Sequence, residues 1–334
     1  MKTNLVDAHF DLAMDVERQR CGGRKKVIES DYLHHFKEGG FGAIVSSIFV
    51  QNEYIPEMAL RMAIRQIAAL KNDIAESNDL VFCTSYSQII EANQKGSVGI
   101  LLSFEDCIPL YADLCLLSLF YELGVRFMGI AWNRRNMACD GSNFLKSTTI
   151  KKPGGLTEFG FQLVDECLRL GIILDVSHLN DEGFWDLCEY TDIPFIASHS
   201  NASEIAPSKR NLSDAQIREI IRRKGFIGIN NMNFIVASDA RMATVSTLCD
   251  HIEHIMQLGG EDVVGFGFDF NDPIMKYVTQ SENNLTPYPC KDILNGHSGV
   301  HVLIQEMEHR KFGEENIRKI CGGNFLRIVR DGLS

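Results

Sequence analysis

Short apolar and β-branched runs recur along the chain at 5–9, 43–50, 98–104, 125–132, 172–177, 194–198, 226–231 and 263–268. Runs this short and this continuous predict strands of a sheet covered on both faces. Between most of them the apolar positions switch to helical spacing. In 57–77, Met58, Met62, Ile64, Ile67, Ala68 and Ile74 fall near one stripe, with charges opposite. Residues 114–123 repeat that pattern. Segment 157–170 opens on Thr157 and Glu158 and stops at Gly171, a capping residue and a terminator. Segment 213–224 opens on Ser213-Asp214, 245–258 ends at a glycine pair, and 314–330 reads as a closing helix. Eight strands alternating with helices predict an α/β chain folded as a (β/α)8 TIM barrel, with an open doubly wound sheet as the alternative. No Pro-rich or Gly/Ser-rich linker and no internal repeat divides the chain. Residues 1–334 are therefore expected to form a single barrel domain, with the irregular, proline-containing stretch 271–297 as a loop over the active-site end.

Charge narrows the partners. Lys plus Arg number 33 against 44 Asp plus Glu, a formal net charge of −11. That balance disfavours nucleic acid and anionic membrane and suits cations. The ten cysteines include no CxxC pair and read as buried thiols in a reducing compartment. The first residues lack the apolar core of a signal peptide, no run is long enough to span a bilayer, and RIVRDGLS carries no tail for a lipid anchor. The expectation is a cytoplasmic protein without a membrane anchor.

Barrel enzymes carry their chemistry at the C-terminal ends of strands. Here those ends hold His9 and Asp11, Glu105-Asp106, His178, His199 and Asp269. In an extended backbone His9 and Asp11 share a face. Imidazole with carboxylate suits Zn2+, Mn2+, Co2+ or Fe2+. Three His and several carboxylates exceed the needs of one ion and fit two, sharing a carboxylate and activating a water for attack on a carbonyl. Each residue alone is weak evidence: a buried His often only bonds a neighbour, and a carboxylate pair can open a helix. Ser177-His178 and Ser198-His199 invite a hydrolase-triad reading, which no G-x-S-x-G elbow supports. His251 and His254 read as a helix face or a satisfied core position, and His34, His35, His297, His301 and His309 receive no role.

These residues sit in segments that resemble the membrane (renal-type) dipeptidases, the M19 metallopeptidases of the amidohydrolase superfamily. The resemblance runs from DAHFDL at 7–12 through SFED at 103–106, LGIILDVSH at 170–178, ASHSNA at 197–202 and KRNLSD at 209–214 to GFGFDF at 265–270. It implies a TIM barrel with two Zn2+ per chain: His9 and Asp11 on the first ion, Glu105 bridging, His178 and His199 on the second. It also implies Asp269 as the proton-handling carboxylate and Arg210 as the anchor of a substrate carboxylate. The implied activity is hydrolysis of a small dipeptide through a metal-bridging hydroxide, with a homodimer common in the family. Two positions depart from the family pattern. Trp132 stands where the family has a His, followed by Asn133, and Asn230-Asn231-Met232 stands where the family's segment often ends in Tyr. Trp132, Asn133 and Asn231 are thus candidates for substrate contacts. The rival readings are an amidohydrolase acting on N-acyl amino acids or other small amides, a mononuclear deaminase-like barrel, and a barrel that binds a small molecule without turnover.

Overall fold

Parallel pairing accounts for every apolar run. The computed structural model describes residues 4–144, 152–275 and 290–333. Its strands are β1 (Leu5–Phe10), β2 (Phe41–Ile48), β3 (Leu80–Phe82), β4 (Val98–Glu105), β5 (Val125–Gly129), β6 (Ile173–Asp175), β7 (Ile196–Ala197), β8 (Phe226–Ile229) and β9 (Val264–Phe266). Eight of them run β1-β2-β4-β5-β6-β7-β8-β9, a nearly closed (β/α)8 barrel wrapped by helices. The ninth, β3, lacks the length to stand out in the sequence. It pairs with the first half of β4, from Leu80 opposite Val98 to Phe82 opposite Ile100, and leaves the second half to β5.

The helices keep most of the expected boundaries because their caps are real. Thr157 accepts a hydrogen bond from Gly160 N at 3.1 Å at the start of Glu158–Leu170, and Gly171 ends that helix at φ 73°. Ser213 and Gln216 form a reciprocal capping box before Asp214–Arg222. Two expectations are corrected. In Ala59–Ala75, Ile64 is exposed, and Ala63, Gln66 and Leu70 carry the buried stripe with Met62 and Ile67. The closing helix is not continuous: Glu314–Arg318 passes through a wide turn at Lys319–Gly323 before Asn324–Gly332. The break sits where a Cβ on Gly322 would come within 2.6 Å of Asn4 O, so the turn hugs the start of β1. The stretch 271–297, expected as a loop, lies partly outside the described residues. Its described ends are tied together, since Asp292 accepts from Asn271 N and Asp272 N at 2.9–3.1 Å.

A carboxylate closes the barrel. Among the described residues no ladder joins β9 to β1. Instead Asp7 Oδ1 accepts from Phe268 N at 2.9 Å, and Asp269 N donates to His9 O at 3.1 Å. The other Asp7 oxygen lies 2.8 Å from His297 Nε2, and that ring meets Phe10, Phe36 and Phe41 edge-on.

Backbones also approach closely beneath the site. A Cβ on Gly228 would fall 1.9 Å from Ser198 O, and one on Gly267 only 1.7 Å from it. Only glycine permits this spacing of strand ends. Gly228→Ala is expected to destabilise the fold by about 1–3 kcal/mol, the usual cost of overpacking. A melting temperature within about 1 °C of the parent would contradict it.

Candidate metal centre

The barrel delivers its chemistry where the ladders stop. His9 is the penultimate residue of β1, Glu105 is the last of β4, and His178, His199 and Asp269 follow β6, β7 and β9 by two or three residues. Asp11 has already left the strand. Its backbone (φ −73°, ψ 38°) opens helix Leu12–Cys21, so it is the turn and not the strand alternation that brings it beside His9. Three side chains at the rim stand on left-handed backbone: Asp106 (φ 92°), His178 (φ 70°) and Asp269 (φ 55°). Such conformations persist where surrounding bonds hold them. His178 O is held by Ser142 N at 2.7 Å and Asp269 N by His9 O.

Glu105 is the hinge of the cluster. Its Oε2 lies 3.3 Å from His9 Nε2, while Oε1 lies 3.0 Å from His178 Nε2 and 3.7 Å from His199 Nε2. His9 Nε2 is 3.8 Å from Asp11 Oδ1 and 4.0 Å from Asp269 Oδ1. The two later imidazoles bring their Nε2 atoms 2.7 Å apart. Donor atoms of His9, Glu105 and His199 all fall within 4.8 Å of one another. The fourth rim carboxylate, Asp106, turns away: it accepts from Asn136 Nδ2 at 2.7 Å and pairs with Arg134 at 3.0 Å.

The electrostatics fit a cation. Burial raises the Glu105 carboxyl to about 7 and Asp269 to about 8, and it lifts Asp11 well above the usual range with Glu105 adding to the rise. Burial also drives His178 and His199 well below theirs, helped by Arg210 and by the neighbouring imidazoles. The protein thus presents neutral imidazoles and carboxylates that are costly to ionise side by side. His9 Nε2, Asp11 Oδ1 and His178 Nδ1 are buried without a hydrogen-bond partner among the described residues. Divalent ions satisfy donors such as His9 Nε2 and Asp11 Oδ1, while His178 turns its Nε2 toward Glu105.

Behind the cluster runs a layer of supporting bonds that sequence reasoning missed. Asp175 accepts from Ser177 N at 2.9 Å, from Ser198 N at 3.0 Å and from the Ser198 hydroxyl. Ser198 Oγ lies 2.7 Å from His199 Nδ1. With its proton given to Asp175, that hydroxyl accepts from Nδ1–H and leaves the His199 Nε2 lone pair facing Glu105. The serine before each His was the visible signal; its partner Asp175 was not.

The expected substrate residues divide. Arg210 is buried and lines a cavity of about 160 Å³ over the cluster, with Trp132, Phe49, Phe144, Met232 and Asp269. Its Nη2 donates to His199 O at 2.8 Å, Nη1 to Ser200 Oγ at 3.4 Å, and Nε has no partner among the described residues. Burial pulls Arg210 down to about 10 against the pull of Asp269 and Glu105. Asn133 and Asn231 do not line that cavity. Asn133 Oδ1 receives Phe144 N at 2.6 Å, and Asn231 Oδ1 receives Ile293 N and Leu294 N at 3.1 and 2.7 Å, so both brace backbone from fully buried positions. His251 is a satisfied core residue between Ala202 N and Val236 O.

The chain is similar to known proteins along its length. The profile of the membrane dipeptidases, peptidase family M19, matches residues 1–332. The chain belongs to the membrane dipeptidase family M19. Dipeptidase 3 of Homo sapiens is 28% identical over 336 residues, covering 98% of this chain and 64% of its own length. The chain therefore spans about two thirds of the length of the mammalian dipeptidase 3 relatives it matches. A protein encoded in the pqqA 5′ region of Klebsiella pneumoniae is also 28% identical, over 80% of this chain and 94% of its own. Among solved structures, dipeptidase AC, a metallopeptidase of family M19, aligns over 100% of this chain and 99% of its own with a TM-score of 0.86 and 27% identity. A metallopeptidase from Rhodobacter sphaeroides, bound to a phosphinate mimic of the dipeptide L-Ala-D-Ala, aligns over 99% of both chains with a TM-score of 0.86 and 26% identity. Membership of M19 implies metal use, and the His/Glu/His cluster supplies donors for it. Among the described residues no helix is long and apolar enough to cross a membrane.

The relay through Ser198 yields a measurable consequence. Ser198→Ala, which frees the His199 tautomer, is expected to weaken metal affinity by roughly 10–100-fold with the fold retained. Equilibrium dialysis with circular dichroism checks it, and unchanged affinity would remove Ser198 from the support of His199.

Proposed function

We propose that this M19 chain is a zinc-dependent dipeptidase, a single barrel domain that hydrolyses the amide bond of small dipeptides. The observation that carries the reading is Glu105, whose two oxygens face two separate donor sets at the floor of a cavity with Arg210 at its side. His9, Asp11 and Glu105 would hold one Zn2+, and Glu105, His178 and His199 a second. Divalent ions held there would lower the pKa of a bound water from 15.7 to about 7 and would polarise a carbonyl.

The protein's own groups do the rest. Asn230 Nδ2 holds Asp269 Oδ2 at 2.9 Å, which leaves Oδ1 facing His9 and the cavity. Asp269 takes the proton of the attacking water at that oxygen and returns it to the departing nitrogen. Arg210 Nε, buried and unpartnered among the described residues, receives the substrate's terminal carboxylate. Asp269 also lines the cavity, and its carboxylate favours a free ammonium over an N-acyl group. The mimic bound by the Rhodobacter sphaeroides relative supports the same substrate class. Ten unbridged cysteines support a reducing, cytoplasmic setting.

Metal-loaded protein is expected to hydrolyse Ala-Ala and to leave N-acetyl-alanine amide bonds intact, and chelation should abolish the activity until zinc is restored. Asp269→Asn is expected to lower kcat by roughly 10²–10⁴-fold with metal content unchanged; an unaltered kcat removes Asp269 from proton transfer. Arg210→Lys keeps the charge and loses the fork, so KM should rise about tenfold while kcat moves little. Steady-state kinetics with metal analysis reads all three, and a KM equal to the parent's would displace the carboxylate anchor from Arg210.

A further inference from the structure

One wall of the cavity is built of rings. Trp132 lies 4.9 Å from Phe49 at 55° and 6.4 Å from Phe144 at 80°. Phe144 stacks on Phe234 at 6.2 Å and 20°. Trp132 and Phe144 both face His178, at 6.1 and 5.9 Å, and Phe144 lies 6.0 Å from the Arg210 guanidinium. The Phe144 ring is not a loose loop residue, because its backbone N–H is held by the fully buried Asn133.

The placement of these rings has a consequence that rests on the dipeptidase reading. In a dipeptide, the Cα of the C-terminal residue is bonded both to the carboxylate carbon and to the scissile nitrogen. With the carboxylate at Arg210 and the amide over Glu105, that residue's side chain leaves the backbone between Arg210 and His178. Phe144 borders both groups, and Trp132 closes the space across His178. Among the described residues Arg210 is the only Arg or Lys lining the cavity, and the carboxylate occupies it. An acidic side chain would meet rings and no free cation, and burying it so is costly. An aromatic side chain gains tilted and edge-on ring contacts instead.

We propose that Trp132 and Phe144 form the subsite for the C-terminal side chain and select dipeptides that end in an aromatic or large apolar residue. The test compares kcat/KM of zinc-loaded protein on Ala-Phe, Ala-Ala, Ala-Asp and Phe-Ala, with the C-terminal residue in both L and D forms. Ala-Phe is expected to exceed Ala-Ala by roughly tenfold or more and Ala-Asp by a wider margin. Trp132→Ala and the milder Phe144→Leu should each collapse the Ala-Phe to Ala-Ala ratio while the Phe-Ala to Ala-Ala ratio holds. A second readout needs no turnover. The chain has two Trp, so Trp185→Phe leaves Trp132 as the sole tryptophan, and in an Asp269→Asn background its fluorescence, excited at the red edge where tyrosine does not absorb, should report tighter binding of Ala-Phe than of Ala-Ala. Equal binding of the two, a preference that survives both ring variants, or one that follows the first residue overturns the subsite. Hydrolysis of no dipeptide would overturn the dipeptidase reading instead, and the fluorescence titration would then still decide the subsite.

Discussion

A carboxylate largely withdrawn from bulk water governs this molecule. Glu105 sits at the end of β4, 7% exposed, with three imidazoles within 3.7 Å. The nearby cations are committed elsewhere, Arg134 to Asp106 and Arg210 to His199 O and Ser200. Removing one carboxylate from water costs several kcal/mol unless a partner offsets it. Asp11 and Asp269, buried beside it, raise the cost again. Protonation would relieve the charge but waste the geometry, since Glu105 aims each oxygen at a different set of lone pairs. A divalent cation relieves charge and uses geometry together, so binding energy at this site is also folding energy.

The barrel supports that carboxylate by reusing single atoms for two tasks. Asp7 Oδ1 accepts from Phe268 N, which ties β9 to β1, and also from His9 N at 3.2 Å, which sets a candidate ligand. Closure of the sheet and placement of His9 therefore share one oxygen. Asp175 does the same one layer further round. Its Oδ1 takes the amides of Ser177 and Ser198, the residues before His178 and His199. At these strand ends the sheet ladder has stopped, and fixed carboxylates continue its work. Ligands supported in this way hold their orientation better than ligands on free loops.

What could be read from the chain follows from how local each signal is. His9, Glu105, His178, His199 and Asp269 were legible because each directly follows or ends an apolar run, and strand ends share one rim. The eight barrel strands were legible for the same reason, while three-residue β3 was too short to carry a pattern. Asp11 was placed correctly beside His9 but for the wrong cause, because the chain turns into a helix one residue earlier than extended geometry assumes. Asp7 with His297 spans 290 residues, and no local pattern announces such a bond. Asn133 and Asn231 looked like substrate contacts because they flank departures from a family pattern. A polar residue next to a site is as often its brace as its lining, and only the partners of its side chain distinguish the two.

The segment after β8 shows how finely that distinction is drawn. Asn230, Asn231 and Met232 are consecutive, yet they serve three different neighbours. Asn230 holds the Asp269 carboxylate, Asn231 holds the backbone of Ile293 and Leu294, and Met232 lines the cavity. Asn230 reaches this position because Asn201 grips its backbone from both sides, accepting its N–H at 2.8 Å and donating to its carbonyl at 3.0 Å. A slip of one residue would put an amide, Asn231 or Asn233, into the apolar wall, and in one direction would set the aliphatic side chain of Ile229 beside the Asp269 carboxylate. The register after β8 is thus fixed less by the four-residue strand than by one buried Asn–Asn exchange. Asn230 and Met232 consequently keep to separate neighbours, the Asp269 carboxylate and the cavity wall.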